Sequence, residues 1–252
     1  MTERPGMNSD YLQKYYHYER HHWWFSIREK IIRQLLDTSL PTGRRLNILN
    51  AGAATGRSSQ MLMQYGEVIS LEKDHDTCVF LRENLKINVV EGDLELLPFE
   101  NESFDVICIF DVIEHVAQQE LAVSELYRVC KTGGMIYCSV PAFSFLWSDH
   151  DEINHHKRRY TRKTITRVLE KKFTLEYSTY FNMFLFLPIW FSRVVLQRLK
   201  RPQKAVSDFE SSRLLNSPFF SGIFRSIFSV ELLLLRYFTL PVGVSILLRA
   251  KK

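Results

Sequence analysis

The sequence predicts an α/β protein, a doubly wound and mostly parallel seven-stranded sheet with helices ahead of it and a hydrophobic helical insertion before the last strand. Three observations predict it. Short apolar runs alternate with amphipathic stretches across residues 47–181, the pattern that builds parallel sheets flanked by helices. One run, FDVICIF at 104–110, is apolar at every position except Asp105, as expected of a strand buried on both faces. The first run, 47–49, opens into the glycine-bearing turn NAGAATG before a helical stretch, which is a strand, a turn and a helix in succession.

Taken in order, residues 11–36 are aromatic and mixed in charge with helical spacing, and predict two helices. Their cluster His21, His22, Trp23, Trp24 and Phe25 either closes over a ligand or packs against the domain. Strand 47–49 leads to a helix over 57–64, and strand 68–71 runs into Glu72 and a helix over 76–85. Strand 88–90 ends in Glu-Gly-Asp, and strand 104–110 is followed by a helix over 114–130. The turn Lys131-Thr132-Gly133-Gly134 starts strand 135–140, after which come a helix (161–171), a strand (173–181), a hydrophobic helical region (183–237) and a last strand (242–250). The expected organisation is a helical cap at 1–40, a core at 41–182, the insertion at 183–238 and the closing strand at 239–252.

Composition sets the outer bounds. Hydrophobic residues make up 46% and charged residues 24% of the 252, which suits one globular α/β domain with decorations. Cys78, Cys108, Cys130 and Cys138 show no C-x-x-C spacing, and the start of the chain lacks a signal-peptide pattern, so a cytoplasmic protein with reduced thiols is expected. The net charge of +5 is uneven: from Arg193 onward eleven Lys/Arg face three acids, giving +8. Those charges are interleaved with Phe, Leu and Ile, which argues against a nucleic-acid surface and for an anionic lipid one.

In an open α/β sheet, ligands bind beyond the carboxyl ends of the strands. Gly52 and Gly56 stand where the backbone can pass close to a ligand, Glu72 ends the second strand where a carboxylate can hold a ribose diol, Asp93 follows the third and Asp111 the fourth. Converging acids favour a ligand with cationic character over a pyrophosphate.

Five blocks in order, ILNAGAATG (48–56), VISLEKD (68–74), EGDLELLPFENESFDVI (91–107), FDVIEHV (110–116) and ELYRVCKTGGMIYCSVP (125–141), resemble class I S-adenosylmethionine (SAM)-dependent methyltransferases. The resemblance is to the branch that includes ubiquinone-biosynthesis O-methyltransferases and enzymes of surface-glycan synthesis. It implies a Rossmann-like fold, SAM as cofactor, Gly52 and Gly56 lining the methionine part, Glu72 on the ribose, Asp93 and Leu94 on the adenine, and Asp111 beside the methionine. Two positions depart from the family pattern. Asn50 replaces its acidic residue and can still accept hydrogen bonds, while Ala54 replaces its middle glycine and is tolerable if its φ is negative. A NAD-dependent oxidoreductase would share the sheet, but G-x-G-x-x-G is missing. A methyltransferase-like binding module that has lost catalysis would keep the blocks.

Methyl transfer to a hydroxyl needs a proton acceptor, and an imidazole oriented by a carboxylate serves. The segment 147–160 resembles an HD-x4-H-x-R-R-Y pattern of the glycan branch, matched by His150, Asp151, His156, Arg158, Arg159 and Tyr160. The expectation is that His150 or His156 is the base, Asp151 orients it, and Arg158, Arg159 and Tyr160 meet an anionic, small or lipid-linked acceptor. No spacing is diagnostic of a metal, and no metal ligand is assigned. Residues 183–191 are too short to span a bilayer. The region 183–238 is expected to meet either a membrane surface, with Arg193, Arg198, Lys200, Arg201 and Lys204 toward its headgroups, or a second copy of the chain.

Overall fold

The computed structural model describes residues 9–191, 193 and 218–252. Two helices, α1 (Ser9–His21) and α2 (Trp23–Ser39), precede a seven-stranded sheet of β1 (Leu46–Ala51), β2 (Gly66–Glu72), β3 (Val89–Glu91), β4 (Phe104–Phe110), β5 (Cys130–Pro141), β6 (Thr174–Phe181) and β7 (Ser245–Lys251). Its order is β3-β2-β1-β4-β5-β7-β6. All pairings from β3 to β5 are parallel, and β7 runs antiparallel between β5 and β6. The strand order reverses between β1 and β4, so their carboxyl ends part and leave the crevice in which such sheets bind ligands.

Helices α3 (Arg57–Leu62), α4 (His75–Leu85), α5 (Gln119–Val129), α6 (Asp149–Ile153) and α7 (Arg162–Leu169) connect the strands. Every residue of β4 is buried, as its unbroken apolar pattern predicts. All four cysteines are buried and unpaired.

Helix α5 starts five residues later than the hydrophobic pattern suggests. Residues 112–116 form tight turns instead, with His115 N–H donating to Val112 O and Val116 N–H to Ile113 O. The helix then begins under a carboxylate from elsewhere in the chain: Glu95 Oε1 accepts from Ala117 N–H and Gln118 N–H at 2.9 Å each, satisfying donors that a helix start leaves open.

The break between α1 and α2 falls at His22, whose Nδ1 accepts from Trp24 N–H at 3.2 Å. Burial pulls the pKa of His22 down to about 4, which keeps the ring neutral and able to accept. The aromatic cluster beside it divides its work. Trp23 is buried and stacks on Phe228 at 5.5 Å, whereas Trp24 lies beside the Arg28 guanidinium.

Past β6 a 3-10 turn (Met183–Leu185) leads into α8 (Phe186–Trp190), and α9 (Pro218–Tyr237) returns the chain to β7. Glu231 on α9 is fully buried and accepts from Asn182 N–H and from Met183 N–H at 3.0 Å, fixing the exit of β6 against that helix. No helix among the described residues is long and apolar enough to cross a membrane.

Candidate active site

The turn after β1 is held open by its backbone. Gly52 has φ +90°, and a Cβ there would meet Val112 Cγ2 at 2.3 Å, so only glycine fits without moving the turn after β4. Gly56 has φ +80°, caps α3, and is pressed against Leu81 and Ile87. Ala54 lies between them with φ +45°, contrary to the negative φ its side chain favours. Left-handed backbone costs an alanine roughly 1 kcal/mol. The conformation aims Ala54 N–H at Glu72 Oε2, 3.0 Å away.

Glu72 also accepts from Lys73 N–H (2.8 Å) and Asp74 N–H (3.1 Å) through Oε1. Two carboxylate oxygens offer about four acceptor positions, so three backbone donors fix the side chain and leave room for a ligand hydroxyl. Asp93 pairs with Lys73 and accepts from Glu95 N–H at 3.0 Å, and Leu94 is buried behind it. Asn50 is fully buried, with its Nδ2 donating to Ser58 and Ser59.

Asp111, at the tip of β4, meets a residue for which the sequence reading assigned no role. Arg28 on α2 places Nη2 2.6 Å from Asp111 Oδ2 and 3.1 Å from Ser139 Oγ, and Ser139 Oγ donates to Asp111 Oδ1 at 3.0 Å. Other residues of the first two helices clamp the glycine turn: Glu29 pairs with Arg57 at 2.7 Å, Glu19 accepts from Thr55, and Arg20 donates to Gln60 at 2.6 Å. The one signal in the sequence was a lone arginine at helical spacing with Trp24, Ile31 and Ile32, and that pattern alone names no partner.

This edge of the sheet suits an amino-acid-bearing nucleoside. Arg28 Nε and Asn50 Oδ1 are buried with no hydrogen-bond partner among the described residues, which provides one donor and one acceptor. The adjacent Arg28 cation and Asp111 anion match the carboxylate and ammonium of an α-amino acid in sign.

The second cluster lies beyond β4 and β5. Asp151 on α6 is fully buried, and His156 Nδ1 lies 2.8 Å from its Oδ1. Arg159 donates to the same carboxylate through Nε (2.7 Å) and Nη2 (3.0 Å) and to Ala142 O through Nη1. Burial pushes the Asp151 carboxyl up, but the hydrogen bonds from His156 and Arg159 outweigh it and hold the group below the usual carboxylate range. His115 packs edge-on to His156 with centroids 4.7 Å apart, and burial pulls its pKa down to about 4. Glu114 is fully buried, and burial, reinforced by the Asp111 charge, pushes its carboxyl well up.

The structure therefore corrects two expectations about the acceptor. The Arg159 side chain is only 5% exposed and is committed to Asp151, so it braces the site from within and does not meet an anionic acceptor. Tyr160 is a core residue, with its hydroxyl donating to Gln119 Oε1 at 2.9 Å. Arg158 donates to Ala117 O at 3.1 Å and keeps part of its surface. The His150 side chain lies outside the described residues.

The comparisons agree with this geometry. Residues 49–138 match the family model described as "Methyltransferase domain". A "Probable S-adenosylmethionine-dependent methyltransferase" of Mycolicibacterium smegmatis is 30% identical over 152 residues, covering 59% of this chain and 58% of that protein. The demethylmenaquinone methyltransferase of Staphylococcus haemolyticus is 30% identical over 135 residues, covering 51% and 54%. The chain thus spans somewhat more than half the length of these curated relatives. Among solved structures, a SAM-dependent methyltransferase from Thermotoga maritima has a TM-score of 0.58 at 17% identity, covering 96% of each chain. Another from Archaeoglobus fulgidus has a TM-score of 0.56 at 18% identity, covering 89% and 94%. At these identities the structures establish the fold.

The Asp151 pairing predicts a pH dependence with a defined sign. Its carboxyl is held lower in the folded protein than in the unfolded chain, so its contribution is complete above about pH 4 and is lost as pH falls below that. Asp151→Asn should cost on the order of 3 kcal/mol at pH 7, because Arg159 is left buried without its counter-charge. Urea unfolding across pH should show the gap to wild type narrowing on the acid side.

Proposed function

We propose that this chain, whose residues 49–138 match a methyltransferase-domain family model, is a SAM-dependent enzyme that methylates the hydroxyl oxygen of a small, saccharide or lipid-linked acceptor in the cytoplasm. SAM supplies an electrophilic methyl group, and the sulfonium keeps the electron pair of the broken bond as a thioether. What remains for the protein is alignment, exclusion of water and disposal of the hydroxyl proton.

The observation that supports this reading best is the arrangement at the strand tips, where Gly52, Glu72 and the Arg28–Asp111 pair share the edge at which β1 and β4 part. Glu72 is preset by three backbone donors to receive the ribose. Asp93 and Leu94 extend the same edge toward the base, and Asn50 and Ala54 shape the turn beneath it. Arg28 and Asp111 orient the amino-acid end. The reading places the donor between them, under α1 and α2.

Oxygen is favoured over carbon as the methylated atom by the imidazoles beyond β4 and β5. With Nδ1 of His156 donating to Asp151, its Nε2 carries the lone pair, the state required to receive a proton or its equivalent. Of the two histidines that segment 147–160 offers for this role, the described geometry supports His156. Of the two arginines of this segment, Arg158 is the one whose charge is available to a polar acceptor.

Acceptor delivery from a membrane surface is supported by an apolar face next to this segment. Phe143 stacks on Phe145 and Tyr180 and meets Phe186 on α8. Leu187 and Phe191 beside them are 69% and 51% exposed. Arg193 is paired inward, donating to Leu146 O at 2.6 Å, so it is not available to a headgroup. Arg198, Lys200, Arg201 and Lys204 lie outside the described residues.

Two measurements test the reading. With labelled SAM and polar and lipid extracts as acceptors, the protein should transfer label to a base-stable ether. His156→Gln should lower turnover at least ~100-fold, the scale of a lost proton acceptor, while leaving SAM affinity within about twofold. Label found only on carbon, or unchanged turnover in the variant, would refute the oxygen assignment. In flotation with phosphatidylglycerol vesicles the protein should rise with the lipid. Protein that stays in the soluble fraction and elutes as a dimer would assign the apolar face to a second copy.

A further inference from the structure

Glu114 poses a problem that methyl transfer does not resolve. It is fully buried at the turn after β4, and neither carboxylate oxygen has a hydrogen-bond partner among the described residues. A carboxylate in this position is short of the donors that hold the other buried acids of the site. Such a group is costly to bury unless something coordinates it.

The neighbouring side chains show what could. Glu114, His115 and His156 each present a ligand atom within 4.8 Å of the others. Two loops converge to make this arrangement: the turn after β4 carries Glu114 and His115, and the segment after α6 brings His156 back, with Lys157 N–H donating to Glu114 O at 2.9 Å. His156 is already oriented as a ligand would be. Its Nδ1 is held by the Asp151 carboxylate at 2.8 Å, and Arg159 locks that carboxylate through two bonds. A carboxylate behind a histidine is the arrangement that fixes the tautomer and raises the basicity of the opposite nitrogen.

We propose that Glu114, His115 and His156 form a divalent-cation site. Two imidazole nitrogens and one carboxylate oxygen suit Zn2+, Mn2+ or Fe2+ better than Mg2+ or Ca2+, which take oxygen ligands. Ligand atoms around zinc stand about 3.4 Å apart, the edge of a tetrahedron with bonds of about 2.1 Å, so binding draws the three side chains together by about an ångström. Three protein ligands leave at least one position open. Asp151, the obvious acid of this segment, is not a ligand, because its oxygens are taken by His156 and Arg159.

The site deepens the hydroxyl-acceptor reading and, in its catalytic consequence alone, rests on it. With the cation bound, the His156 lone pair serves as a ligand and no longer as the proton acceptor, and an acceptor hydroxyl at the open position would instead lose its proton to water at lower pH. Binding of the cation itself needs neither SAM nor acceptor.

The test uses the untagged full chain stripped with EDTA. Titration with Zn2+ and Mn2+ by calorimetry should give one site per chain that Mg2+ does not fill. Glu114→Gln keeps the shape of the side chain and should weaken Zn2+ binding at least tenfold, as should His115→Asn. Co2+ added to the wild type should give the visible absorption of a nitrogen and oxygen ligand field, a reading independent of how well the variants fold. Absence of stoichiometric binding, or equal affinity in both folded variants, overturns the proposal. If the site binds Zn2+ normally but the protein transfers no methyl to any hydroxyl, the cation site stands and the oxygen-acceptor reading falls.

Discussion

The structure depends on a single ion pair at the tip of β4. Arg28 reaches from α2 to Asp111 at 2.6 Å, with Ser139 on β5 completing a three-way contact. Four strands end at this edge, and Glu72, Asp93 and Asp111 place negative charge there. Without a compensating cation that concentration of charge would oppose folding. Lys73 answers Asp93 locally, backbone N–H groups hold Glu72, and Arg28 answers Asp111 from a helix 83 residues earlier in the chain. The contact therefore does two things: it ties the first helices to the sheet, and it leaves a cation and an anion side by side at the crevice.

The same economy governs the loops. Three irregular segments around the site are each anchored by a buried or half-buried carboxylate: Glu95 from another loop at the start of α5, Asp151 from within 148–159, and Glu231 from α9 at the exit of β6. Because each bonds backbone N–H groups or a guanidinium, removing it strands its partners, which costs more than the bond contributed. Glu114 is the exception. It has the same burial without such partners, and that contrast is what points to an ion.

Much of the architecture was legible in local pattern. The FDVICIF run is a strand buried on both faces, Gly52 and Gly56 of the turn after β1 take the positive φ open to glycine, and the strands follow the order in which apolar runs alternate with helices. Local pattern failed where the cause was distant. Helix α5 starts late because Glu95 caps it from another loop, and Ala54 adopts positive φ because Glu72 draws its N–H. Arg159 and Tyr160 look like acceptor contacts in the segment's pattern, yet the fold turns them inward against Asp151 and Gln119. Glu114 and His115 read as a helix start and as part of the FDVIEHV block, and not as ligands, since the histidine that completes their cluster lies some forty residues away.

The account stands or falls on whether the Arg28–Asp111 pair receives the amino-acid end of SAM. Isothermal titration of SAM into the wild type and into Arg28→Met reads this directly, since methionine keeps the length of the side chain and removes its charge. One site per chain is predicted, weakened at least tenfold in the variant, which corresponds to about 1.4 kcal/mol. Equal affinity in the two proteins, or no heat of binding to the wild type at millimolar SAM, would contradict it.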